Sequence, residues 1–64
     1  MENSYLVRER TAKEGVVIDG VDDGLEAACQ AYPELNLETS HISGDNTYVI
    51  DPENDVMYVV TKVK

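Results

Sequence analysis

The sequence has no phenylalanine and no tryptophan, a single cysteine, and no lysine or arginine between Glu14 and Thr61. Each absence excludes something. One thiol cannot close an internal disulfide, so Cys29 staples nothing, and a free thiol fits a reducing compartment better than secretion. Long apolar runs are missing as well. No stretch approaches a membrane span or signal-peptide core, and "MENSYLVRER" lacks a basic leader region. The expectation is a soluble cytoplasmic protein without membrane association.

The bases that are present lie at the ends: Arg8, Arg10 and Lys13, then Lys62 and Lys64. Thirteen acids against five bases give a formal net charge of −8, and every acid except Glu2 and Glu9 falls in the base-free tract. A field of that sign repels nucleic acid and anionic lipid and attracts basic protein surfaces. Direct DNA or RNA binding is therefore not expected. The five bases form one basic edge if the first and last strands are neighbours; otherwise they only decorate strand ends.

A length of 64 residues accommodates one domain, residues 1–64, near the lower limit for folding unaided. Nine valines and four tyrosines favour a sheet over a helical bundle. "SYLVRERTA" (4–12) and "VVIDGV" (16–21) read as two strands of a hairpin joined through "KEG". A helix then begins, with Asp22 or Asp23 as N-cap and Glu26 at capping-box distance from Asp23. Leu25, Ala28, Cys29 and Tyr32 make an apolar stripe at i, i+3, i+4, i+7, which makes Cys29 a small core residue, and Pro33 ends the helix. "LNLETSHIS" (35–43) is a weaker strand, followed by "TYVID" (47–51) and "VMYVVTKV" (56–63). The last has two apolar faces, Val56/Tyr58/Val60 and Met57/Val59/Val63, and belongs inside the sheet. The expected fold is α+β: a single antiparallel sheet in the order β-β-α-β-β-β, with one α-helix packed on one face.

Asp51, Glu53 and Asp55 have the spacing of the first three ligands of an EF-hand loop. The pattern then fails, because Val56 stands where the loop needs glycine and Lys62 where it needs a bidentate glutamate. "DPEND" instead carries a turn's own parts: Asp51 to bond the backbone, Pro52 to fix φ, Asn54 to accept a left-handed conformation. His41, the lone histidine, has no oriented partner, because Ser40 and Ser43 are its neighbours in sequence only. One cysteine and one histidine cannot close a zinc tetrahedron. No enzyme activity, cofactor or metal site is expected.

At "VVIDGVDDGLEAACQAY" the chain resembles small phage-encoded proteins, in which a strand ends in V-x-x-V, acids cap a helix of the "LEAA" type and a tyrosine closes its stripe. Short anti-CRISPR proteins and phage inhibitors of host polymerase include such domains, several of them strongly acidic. The resemblance covers about a quarter of the chain closely. It implies a stoichiometric inhibitor acting by binding, in the cytoplasm of the host cell, and it transfers no catalytic residues. The expected function is thus a small acidic inhibitor that blocks a positively charged nucleic-acid-handling protein or ribonucleoprotein by imitating phosphates. Its partner-binding residues are Asp19, Asp22, Asp23 and Glu26 around the helix start, with Asp51, Glu53 and Asp55 at the last turn. The alternative is an accessory module that self-associates through a sheet edge, as a homodimer for instance, and is acidic only for solubility.

Overall fold

The computed structural model describes residues 3–63. Among these residues the chain forms β1 (Asn3–Glu9), β2 (Val16–Val21), α1 (Gly24–Ala31), β3 (Glu38–Ser43), β4 (Asn46–Asp51) and β5 (Val56–Lys62). The strands make one sheet in the order β2-β1-β5-β4-β3, antiparallel at every pairing. The expected α+β architecture is the observed one.

β5 is the middle strand, as its two apolar faces require. Val60 pairs with Val7 of β1 and Thr47 of β4, and Val59 with Arg8 and Tyr48. The amides of Val59 and Val60 should therefore exchange with solvent among the slowest in the protein, since a central strand opens only on near-global unfolding. Exchange measured by NMR at neutral pH checks this, and fast exchange there would contradict the strand order.

The first strand ends at Glu9, earlier than the composition of 4–12 suggests. The Arg8 guanidinium donates to the carbonyls of Arg10 and Ala12, both at 3.2 Å, and Ala12 N–H donates to Glu9 O at 2.9 Å, so the chain curls away. β3 starts at Glu38 instead of Leu35 because Leu35 N–H is taken by Tyr32 O at 3.1 Å, and Leu35 and Leu37 join the core. Gly20 has φ 74° at the point where the β1–β2 register shifts, between Asn3↔Val21 and Ser4↔Asp19. A residue in the left-handed region at a bulge is a glycine position, and it turns the chain out of the sheet toward the helix.

The helix buries most of the expected stripe, since Ala28 lies in the core and Leu25 and Tyr32 pack against it, but the deepest contacts are shifted. Gly24, Ala27 and Ala28 are buried with Ala31 beside them, whereas Cys29 is exposed. The buried centre is thus turned toward Gly24 and Ala27, and Cys29, expected in the core, is a surface thiol. The reason is distance: a Cβ on Gly24 would lie 2.6 Å from Thr47 Oγ1 and 2.7 Å from Thr47 Cβ, so only small side chains fit between helix and β4. The core closes around Tyr5, Val7, Val21, Val49, Tyr58 and Val60 on the helix side of the sheet. Tyr32 caps it, its ring 4.8 Å from that of Tyr58.

Candidate protein interface

The antiparallel register fixes where each charge lies. Val21, Asn3, Lys62 and Asn46 mark one end of the sheet, which also carries the helix start; Glu9, Val56, Asp51 and Glu38 mark the other.

At the helix-start end, Asp23 is the N-cap and its Oδ1 accepts from Glu26 N–H at 2.8 Å. Glu26 does not return the bond to Asp23 but takes the N–H of Asp22, also at 2.8 Å. The Asp23 carboxylate satisfies a backbone donor that the helix leaves open, Glu26 ties down the residue before the cap, and both negative charges lie at the positive end of the helix dipole. Asp22 and Asp23 remain exposed. Asp45, in the β3–β4 turn, was not singled out in the sequence, yet it joins them: Asp23, Asp45, Lys62 and the exposed Ile42 line one cavity of about 320 Å³. No sequence signal marks Asp45, because only strand register brings it there. Asp19 does not belong to this group. Its carboxylate accepts from the Ser4 hydroxyl, and by strand alternation it faces the side of the sheet away from the helix.

At the other end, "DPEND" is the turn expected. Asp51 Oδ1 accepts from Glu53 N–H at 3.2 Å, and Oδ2 accepts from Asn54 Nδ2 at 2.7 Å. Asp55, at φ 55°, takes the left-handed position that the sequence reading gave to Asn54; the asparagine amide is instead spent on Asp51. Asp51 is only 2% exposed, so it supports the turn and offers no carboxylate to a partner. Glu53 and Asp55 are exposed. Among the described residues, no three His, Cys, Asp or Glu side chains converge in a way that could hold a metal.

The two acidic groups therefore sit apart. From the Asn46–Thr61 pair to the Asp51–Val56 pair is five residues of strand, about 17 Å. The bases are split in the same way. β1 and β5 are neighbours, but because they run antiparallel, Arg8 and Arg10 lie at the end opposite Lys62, so the single basic edge does not form. Lys64 lies outside the described residues.

Glu34 adds negative charge beyond the helix. The Tyr58 pKa is raised above 10.0 by burial of its hydroxyl, and further by the charges of Tyr32, Asp51, Glu9 and Glu34. A raised pKa favours the protonated ring in the folded state, so this contribution is fully present below pH 10 and is lost as pH rises through the folded pKa. Tyr58→Phe keeps the ring and removes the titration. Thermal melts above pH 10 should show a shallower alkaline loss in the variant than in the parent; identical slopes would contradict it.

The face of the sheet away from the helix carries no second layer among the described residues. Leu6, Val17, Tyr48, Ile50, Met57 and Val59 lie on it by alternation. His41 stacks on Tyr48 there, with ring centroids 4.5 Å apart, which makes it a packing residue of an edge strand. Comparison of the chain with family models, with curated proteins and with solved structures returned no match. The fold and surface thus define the class: a small α+β domain with an acidic, helix-capped end. None of the described helices is long and apolar enough to cross a membrane.

Proposed function

We propose that the protein is a stoichiometric binding inhibitor, of the kind phages use, that blocks a basic nucleic-acid-handling protein with its acidic end. The observation that carries this reading is the grouping of Asp22, Asp23, Glu26 and Asp45 around the helix start, where Lys62 is the one base among the described residues that line the adjacent cavity. Three of these residues come from one short segment and the fourth arrives through the β3–β4 turn, so the charge is concentrated beyond what sequence proximity supplies. A compact acidic end suits a groove that otherwise holds phosphates, because both present closely spaced negative charge to lysine and arginine. Binding of this type rests on long-range attraction, and salt screens it.

The test is binding to a partner captured from bacterial lysate, measured at low and at high salt with DNA or RNA as competitor. Affinity should fall steeply with salt, and nucleic acid should displace the protein. A complex indifferent to salt and to nucleic acid would contradict the proposal.

Association through a sheet edge has less support. Both edge strands are interrupted, β2 by the bulge at Gly20 and β3 by the extra residue Ser40 between Thr39↔Val49 and His41↔Tyr48. Bulged edges are poor templates for a further strand.

A further inference from the structure

The sheet is covered on one side by the helix and presents a second apolar face on the other. We infer that this open face pairs with the same face of a second copy, giving a two-fold dimer of packed sheets.

Three observations select a second copy as the occupant. The first is charge. Among the described residues, the charged ones that alternation places on this face are Arg8, Arg10, Asp19 and Glu38, two of each sign, so it is locally neutral on a chain of net charge −8. Another copy, which the acidic surfaces repel, can approach here. The second is self-complementarity, which a two-fold interface demands. Arg10 lies on the β1 side of β5, beside Met57 through its N–H to Met57 O at 2.9 Å, and Glu38 lies on the β3 side opposite Ile50. A two-fold axis along β5 sets Val59 and Met57 against their own copies and brings Arg10 toward Glu38 of the second copy. The third is area. Five strands at about 4.8 Å spacing and roughly 20 Å length present about 500 Å². Two copies then bury about 1,000 Å², the size at which a specific, reversible interface becomes tenable.

Shape agrees with this. A concavity of about 250 Å³, lined by Arg10, Ile50, Met57 and the β4–β5 turn, opens at the end of the face where Arg10 lies, and it can accept a side chain of the second copy. Val59 is only 7% exposed without any covering layer, so its neighbours already close the centre of the face and the surface that association can cover lies around it. Val17, by contrast, is 55% exposed at the margin, where association would cover it.

Sedimentation equilibrium of the full chain from about 1 µM to about 1 mM tests the inference, with a dissociation constant on the order of 10 µM expected. Met57→Lys should raise that constant at least about tenfold, since it sets an unpaired charge against its own copy across the two-fold axis. Arg10 and Glu38 are exposed, so their variants keep the fold even if Met57→Lys does not. R10E and E38R should each weaken the dimer several-fold, and the double exchange should restore it. A chain that stays monomeric at the highest concentration overturns the inference, and so does a dimer indifferent to all three substitutions.

Discussion

Replacing Gly24 by alanine is expected to destabilise the domain by about 2 kcal/mol, through overpacking. The added methyl would sit 2.6 Å from Thr47 Oγ1 and 2.7 Å from Thr47 Cβ, and Thr47 is buried in β4. Alanine is the better helix former by up to ~1 kcal/mol, so propensity alone predicts the opposite sign. Steric cost wins here because Thr47 Cβ is anchored to a strand paired on both sides and cannot retreat. A chain of this length is stable by only roughly 3–10 kcal/mol. The substitution should therefore lower Tm by about 10 °C, and valine at the same position should lower it further. Thr47→Ala removes Oγ1 and Cγ2 from the contact but leaves Cβ, so the double variant should recover part of the loss. Thermal melts of the two single variants and the double variant give the coupling. An unchanged or higher Tm for Gly24→Ala would mean that the helix does not lie this close to β4.

That contact also explains what was legible in the sequence. The central place of β5 could be read because Tyr58/Val60 and Met57/Val59 make both of its faces apolar, and a strand of that kind has to be flanked. The cap could be read because Asp23 and Glu26 have the side chains and the spacing that a helix start needs. The buried face of the helix was legible only in part: Ala28 is buried and Leu25 and Tyr32 pack on the core, whereas Cys29 is exposed. Leu25/Ala28/Cys29/Tyr32 and Gly24/Ala27/Ala28/Ala31 obey the same i, i+3, i+4, i+7 rule, and periodicity cannot choose between them. Hydrophobicity favours the larger side chains at the centre, yet the close approach of Gly24 to Thr47 sets the smaller ones deepest, with Leu25 and Tyr32 flanking them. The acidic surface was legible as composition but not as geometry. Asp45 joins Asp23 only through the pairing of β4 with β5, Asp19 points to the other side, and the enclosure of Asp51 follows from a turn whose donors all aim at its carboxylate. Local chemistry was visible in the chain, whereas relations set by register were not.

Neutralising the acidic helix start should cost far more partner affinity than neutralising the distant turn. The variant D22N/D23N/E26Q removes three charges and keeps the bonds that matter to the fold. Asparagine caps a helix about as well as aspartate, and the amide oxygen that E26Q introduces can still accept from Asp22 N–H. Its Tm should stay within a few degrees of the parent. E53Q/D55N removes two charges at the other end, and asparagine tolerates the left-handed conformation at residue 55 at least as well as aspartate. The two groups are about 17 Å apart, roughly twice the screening length in physiological salt, so each acts on its own part of a partner. If the acidic end occupies the groove, the triple variant should bind on the order of 100-fold more weakly at low salt, with a flatter salt dependence, through loss of close charge pairs. The turn variant should lose less than about tenfold, as expected for charges at the rim. Binding measured by calorimetry across a salt series separates the cases. Equal losses for the two variants would spread the contact over both ends, and an unchanged affinity for the triple variant would remove the acidic end from the interface.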